Sequence, residues 1–214
     1  MKRLKYLVAV LLATVITTAQ AQNDPKAGEI LDAMSEKYKA VPAFRASFTY
    51  TLESPGSNLK ENYSGDITVK NGKFHLKMGE QEVINNGTTV WTYLKESNEV
   101  NISDYQPEED AITPTNIYTI HKKGYKYTYV EQKKEGGQTY DVVDLTPENK
   151  NAQIYKIRLV VNRKDRSVRS FKTFEKNGNR QNYLITKFAP AEVDDKLFVF
   201  DQSKYKNVEV VDLR

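Results

Sequence analysis

The chain has 214 residues, a formal net charge of +4, fourteen tyrosines, a single tryptophan and no cysteine. Lys2, Arg3 and Lys5 supply three of those positive charges, so the rest is close to +1 and lacks the electrostatic footprint of a nucleic-acid binder. Without cysteine there is no disulfide framework, no thiolate nucleophile and no residue to acylate behind a signal.

An apolar run from Tyr6 to Ile16 follows the basic residues, and Ala19-Gln20-Ala21 puts small residues where a signal peptidase reads. Residues 1–21 therefore read as a cleaved export signal. A membrane anchor is the competing reading, but the run is too short for a bilayer core of about 30 Å at roughly 1.5 Å per residue. Residues 22–214 are expected to form one soluble, monomeric domain without stable membrane insertion, since no Pro/Gly/Ser-rich linker divides them. Basic clusters such as Lys122-Lys123 with Lys126, and Arg163-Lys164 with Arg166, read as solvated turns.

Asn23-Asp24-Pro25 is a helix start, with a capping side chain and a proline in the first turn. Ala27, Ile30, Leu31, Met34 and Tyr38 then recur at helical spacing to about Lys39, where Ala40-Val41-Pro42 ends the helix. From Phe44 the period changes to two, and Phe44, Ala46, Phe48, Tyr50 and Leu52 share one side of a strand. Ser54-Pro55-Gly56-Ser57 turns into a second strand carrying Leu59, Tyr63, Gly65, Ile67 and Val69. Asn71-Gly72 turns into a third with Phe74, Leu76 and Met78. Within the run 83–93, which holds Trp91, Asn86-Gly87 predicts a two-residue hairpin turn. A strand over 99–102 follows, then an interruption between 104 and 124 in which Ile117, Tyr118 and Ile120 predict a short helix. Strands resume over 125–132, 139–145, 154–161, 168–175 and 183–188, and 197–200 and 208–211 close the chain as extended segments. The pattern predicts a mainly β (α+β) fold, a strongly curved antiparallel sheet or partial barrel.

Catalytic context is thin. His75 lies between Lys73 and Lys77, His121 beside Lys122-Lys123, and both read as surface residues; Asp194-Asp195 reads as a strand-terminating pair. No nucleophile elbow, zinc motif or phosphate loop is present, so no catalytic residue, metal or cofactor is expected. What stands out is the apolar and aromatic supply on one sheet face: Phe48, Tyr50, Tyr63, Ile67, Val69, Phe74 and Leu76 must be covered or filled. Two outcomes stay open, an ordinary core sealed by the helices or a cavity for an apolar ligand. Gly65, mid-row, suits either. Trp91 joins the wall only if Thr89-Trp91-Tyr93, rather than Val90-Thr92-Leu94, is the inward row. A binder of a lipid or glycolipid and a hydrolase of envelope glycans or lipids are candidate functions for such a face.

Five stretches, in order, resemble the periplasmic outer-membrane lipoprotein carrier family, LolA: Phe44-Arg45-Ala46-Ser47-Phe48-Thr49, Gly65-Asp66-Ile67-Thr68-Val69-Lys70, Asn86-Gly87-Thr88-Thr89-Val90-Trp91-Thr92-Tyr93, Asp144-Leu145-Thr146-Pro147 and Asp195-Lys196-Leu197-Phe198-Val199-Phe200. The resemblance implies an incomplete β-barrel whose apolar concave face lies under a helical lid. It also implies a function without chemistry: binding the acyl chains of lipoproteins in the periplasm of a bacterium with an outer membrane. The implied partners are acylated lipoproteins, an inner-membrane lipoprotein-releasing transporter and an outer-membrane acceptor. Carried onto this chain, it puts Phe48 and Phe74 on the cavity wall and 113–121 in the lid. Tyr50, Tyr63, Ile67, Val69, Leu76 and Trp91 complete the expected wall, and Ile117, Tyr118 and Ile120 the expected lid. Where the family often has an Arg-Pro pair after this strand, implicated in holding the lid, the chain has Asn71-Gly72.

Overall fold

Helix α1 (Pro25–Lys39) starts where the capping chemistry places it: the Lys26 and Ala27 amides donate to Asp24 Oδ1 at 2.9 and 3.3 Å, and Pro25 fills the first turn. The other Asp24 oxygen accepts from Tyr129 N at 3.0 Å, which ties the helix start to the sheet. This computed structural model describes residues 23–107 and 111–214; the expected export signal lies outside them.

Twelve strands follow among the described residues: β1 (Ala43–Ser54), β2 (Leu59–Lys70), β3 (Lys73–Met78), β4 (Gln81–Asn85), β5 (Thr89–Leu94), β6 (Glu99–Asp104), β7 (Tyr125–Glu135), β8 (Gln138–Pro147), β9 (Ile154–Asn162), β10 (Val168–Glu175), β11 (Arg180–Pro190) and β12 (Glu209–Asp212). They form one curved sheet in the order β12-β6-β5-β4-β3-β2-β1-β11-β10-β9-β8-β7. Its ends, β12 and β7, do not pair, so the barrel stays open. All neighbours are antiparallel except β12, which runs parallel to β6 and so turns the expected last strand into an edge. Bulges at Ser47/Phe48, Tyr129/Glu131, Val168/Ser170 and Phe174/Glu175 supply local bends that a curved sheet needs.

The apolar stripe of α1, namely Ala27, Ile30, Leu31, Met34 and Tyr38, is buried in one cluster with Val143, Leu145, Ile157, Leu159 and Val161 of β8 and β9. Gly28 faces the Tyr127 ring of the sheet, which a Cβ there would touch at an ordinary contact distance of 3.4 Å. Burying a large aliphatic side chain contributes about 1.5–3 kcal/mol, so this stripe is what seats the helix.

Several local expectations are corrected. The tryptophan hairpin turns one residue later than predicted, at Gly87-Thr88: Asn86 N donates to Thr89 O, positive φ falls on Gly87 (+96°), and Asn86 Oδ1 takes the Thr88 and Thr89 amides. Residues 197–200 are not a strand; a 3-10 turn (Asp195–Phe198) buries Phe198 completely, while Asp194 caps it and Asp195 bridges Lys70 and Lys73, each at 3.3 Å. Neither histidine is a surface residue. His75 is largely covered beside Glu82, and His121 is buried against Asp32.

Candidate functional site

Strand alternation decides which side chains can face the concave side. Pairing carries Ile67 across to Leu76 and Val83, and Ala46 across to Ile67, so these share one face. On this face, between β1–β3, β9–β11 and the segment 112–118, lies a hollow of about 350 Å³ with a mainly apolar lining. Thus α1 seals the β8–β9 part as an ordinary core, and the rest is left open. The concave face thus holds an ordinary core and, beside it, a hollow.

Of the expected wall and lid residues, Phe48, Ile67, Val69, Leu76, Ile117 and Tyr118 line this hollow. The others do not. Phe74 is on the right face but packs in the core, with its ring 6.4 Å edge-on to Tyr105. Tyr50 and Tyr63 lie on the same face beyond the hollow, with stacked rings 6.2 Å apart. Ile120 packs against the core under the lid rather than into the space. Trp91 is on the opposite face: it pairs with Ile84, which pairs with His75, the neighbour of Phe74 and Leu76. That outer face is covered by the C-terminal segment, where the Tyr93 ring lies 4.5 Å from Tyr205.

The wall from β10 and β11, with Phe171, Thr173, Gln181, Tyr183, Ile185 and Phe188, was not expected. Alternation of 181, 183 and 185 signals most of it. Phe188 breaks that parity because the pairing slips at Ser47/Phe48, which puts Ile185 and Phe188 on one face.

Gly65 is explained by its neighbour. A Cβ there would stand 2.4 Å from Phe48 Cζ and 3.0 Å from Lys77 O, so the missing side chain is the space that the Phe48 ring occupies. Burial pushes the nearby Tyr183 hydroxyl up to about 12, with the Tyr50 hydroxyl adding to it, so it stays neutral.

The segment expected to be the lid is a run of tight turns, not an α-helix. Thr119 N donates to Asn116 O and Lys122 N to Thr119 O, and only Ile120–Lys122 forms a 3-10 turn. Asn116 holds it locally, accepting from Thr113 N and donating to Ala111 O, both at 2.8 Å. Three contacts fasten it to α1. The Tyr118 ring stacks on Tyr38 at 4.8 Å and 6°, and His121 Nε2 lies 3.2 Å from Asp32 Oδ1, with Lys122 Nζ 3.6 Å from the same oxygen. The His121 hydrogen bond is the main reason the Asp32 carboxyl is held low, and burial is the main reason His121 is pushed down.

The model of the outer membrane lipoprotein carrier protein LolA matches residues 39–201, three quarters of the chain. The chain belongs to the LolA family. An outer-membrane lipoprotein carrier protein of Photobacterium profundum is 25% identical over 185 residues, covering 85% of this chain and 88% of its own. One from Histophilus somni is 22% identical over 210 residues, covering 95% of each. Among solved structures, the lipoprotein LppX of Mycobacterium tuberculosis superposes with a TM-score of 0.50 at 10% identity over 80% of this chain and all of that one, a likeness of fold. Where LolA members often carry Arg-Pro, Asn71 and Gly72 here both take positive φ (48° and 82°) as the hairpin turn from Lys70 to Lys73. The segment 112–122 is held to α1 by Tyr118, His121 and Lys122.

Proposed function

We propose that this protein is a soluble carrier in the periplasm that encloses lipoprotein acyl chains and moves them from the inner to the outer membrane. Residues 1–21 direct export, and 22–214 act as one monomeric domain without a cofactor. Cargo comes from an inner-membrane lipoprotein-releasing transporter and passes to an outer-membrane acceptor. Phe48, Ile67, Val69 and Leu76 form the wall that meets the chains, and Ile117 and Tyr118 the lid that shields them.

One observation carries this reading: a mainly apolar hollow lined on one side by the segment 112–118, in a chain of the LolA family. Each methylene moved from water to such a wall is worth about 0.8 kcal/mol, so a long acyl chain has no comparably favourable place in an aqueous compartment. At about 350 Å³ the hollow takes on the order of a dozen methylenes, if each needs roughly the 30 Å³ of a water molecule. That is about one chain, and a cargo with several chains needs more room than the hollow has in this structure.

The same volume favours a second reading, a lipid or glycolipid with a single acyl chain held under the closed lid. Native mass spectrometry of the protein recovered from periplasm separates them. The first reading expects an acylated polypeptide, the second a small lipid, and unliganded protein recovered with the transporter active counts against both.

A further inference from the structure

Past the end of the hollow away from 112–118, the same face of the sheet carries tyrosines and carboxylates, with the basic residues of these strands on the other side. Phe171, which lines the hollow, stacks on Tyr183 at 4.4 Å; Tyr183 meets Tyr50 at 4.8 Å, and Tyr50 stacks on Tyr63. These rings lead to two carboxylates. Tyr63 Oη donates to Glu61 Oε2 at 3.0 Å, and Gln181 Nε2 donates to Glu175 Oε1 at 2.6 Å. Alternation puts the basic residues of the same strands on the outer face: Lys60 and Lys172 pair there with Glu53, and Arg180 lies by the Phe174 ring. Among the described residues, neither Glu61 nor Glu175 forms an ion pair.

A second observation lies at the boundary between the hollow and these tyrosines. Thr173 lines the hollow opposite Gln181, is 3% exposed, and its buried Oγ1 has no hydrogen-bond partner among the described residues. A buried hydroxyl left unpaired costs free energy that a ligand acceptor would recover.

We infer that this end of the cavity is a headgroup subsite for a cationic amphiphile, with the acyl tail towards the lid. Thr173 Oγ1 donates to the ester or amide carbonyl at the head of the chain, and Glu61 and Glu175 face an ammonium group beyond it, flanked by the tyrosine rings. The inference rests on the proposed acyl-binding role of the hollow and adds the direction and charge of what it takes. Both carboxylates are partly solvated, so the preference is modest and falls with salt.

Isothermal titration with three ten-carbon probes below their micelle concentrations tests it: decanoylcholine, decyl sulfate and decyl maltoside. Decanoylcholine should bind about fivefold tighter than decyl sulfate, the ratio expected of partly screened charge pairs. That preference should fall below about twofold in the Glu61→Gln/Glu175→Gln variant and shrink in salt. Thr173→Val should weaken decanoylcholine by about fivefold, one hydrogen bond, and leave decyl maltoside unchanged. Equal affinity for the cationic and anionic probes, or a preference that survives the double substitution, overturns the subsite while leaving the acyl cavity standing. An unaltered decanoylcholine affinity in Thr173→Val overturns the carbonyl contact. Failure of all three probes to bind refutes the cavity reading itself.

Discussion

Gly65→Ala tests whether the Phe48 ring is what keeps the hollow its present size. The new Cβ would stand 2.4 and 2.9 Å from two Phe48 ring atoms and 3.0 Å from the Lys77 carbonyl. The carbonyl is fixed in the pairing of β2 with β3, so the ring yields, and the space open to it is the hollow. Overpacking of this kind costs about 1–3 kcal/mol. Removing a glycine returns about 0.4–1 kcal/mol through the unfolded chain. The net expectation is a loss of roughly 0.5–2 kcal/mol in urea unfolding. Displacing one or two methylenes of ligand at about 0.8 kcal/mol each weakens a fluorescent twelve-carbon fatty-acid probe by roughly fourfold to fifteenfold. Phe48→Leu removes the clash, so in the alanine background its own cost should fall by at least about 1 kcal/mol. Additive effects within about 0.5 kcal/mol, with unchanged probe affinity, would refute the reasoning.

The lid should loosen in Tyr118→Ala, which loses a stacked pair worth about 0.5–1.5 kcal/mol beyond area; hydrogen exchange of amides 113–122 should accelerate up to about tenfold while α1 is unchanged. Acid should loosen it too. Burial depresses His121 below its ordinary 6.5, opposed by Asp32 and reinforced by Lys122 and Lys39, so its stabilisation is complete above pH 6.5 and is lost as pH falls through the depressed value. Asp32, also depressed, acts in the same direction at lower pH. After correction for intrinsic rates, lid exchange should therefore rise between pH 7 and 5 and be flat in His121→Gln; a rise of equal size in the variant would exclude His121 as the cause. Trp91 emission should stay constant as the hollow is saturated with the fatty-acid probe, because its ring is on the outer face; a large shift would place ligand there instead.

Much of this architecture is legible in the residues. Asp24-Pro25 sets the start of α1, the alternation from Phe44 to Leu52 sets the inner face of β1, and Asn71-Gly72 marks a turn that forms as written. What escaped has identifiable causes. The Asn86 side chain captures the amides of Thr88 and Thr89, which moves the hairpin centre by one residue, and the face of Trp91 is settled only by its pairing through Ile84 to His75. Bulges hide Phe188 from strict alternation. Burial of His121 depends on Asp32, 89 residues away, a long-range contact that local charge does not reveal. The extent of the hollow reflects how far α1 reaches across the sheet, which no short motif encodes.

Site-specific photocrosslinking in the living cell puts the central claim to the most direct test. A photoreactive residue at Ile67, on the wall, should capture acylated lipoprotein, whereas the same residue at Thr68, which pairs with His75 on the outer face, should not. Capture at Ile67 alone is the result expected of an acyl carrier that works through this hollow. Equal capture at both positions, or capture at Thr68 only, would contradict it.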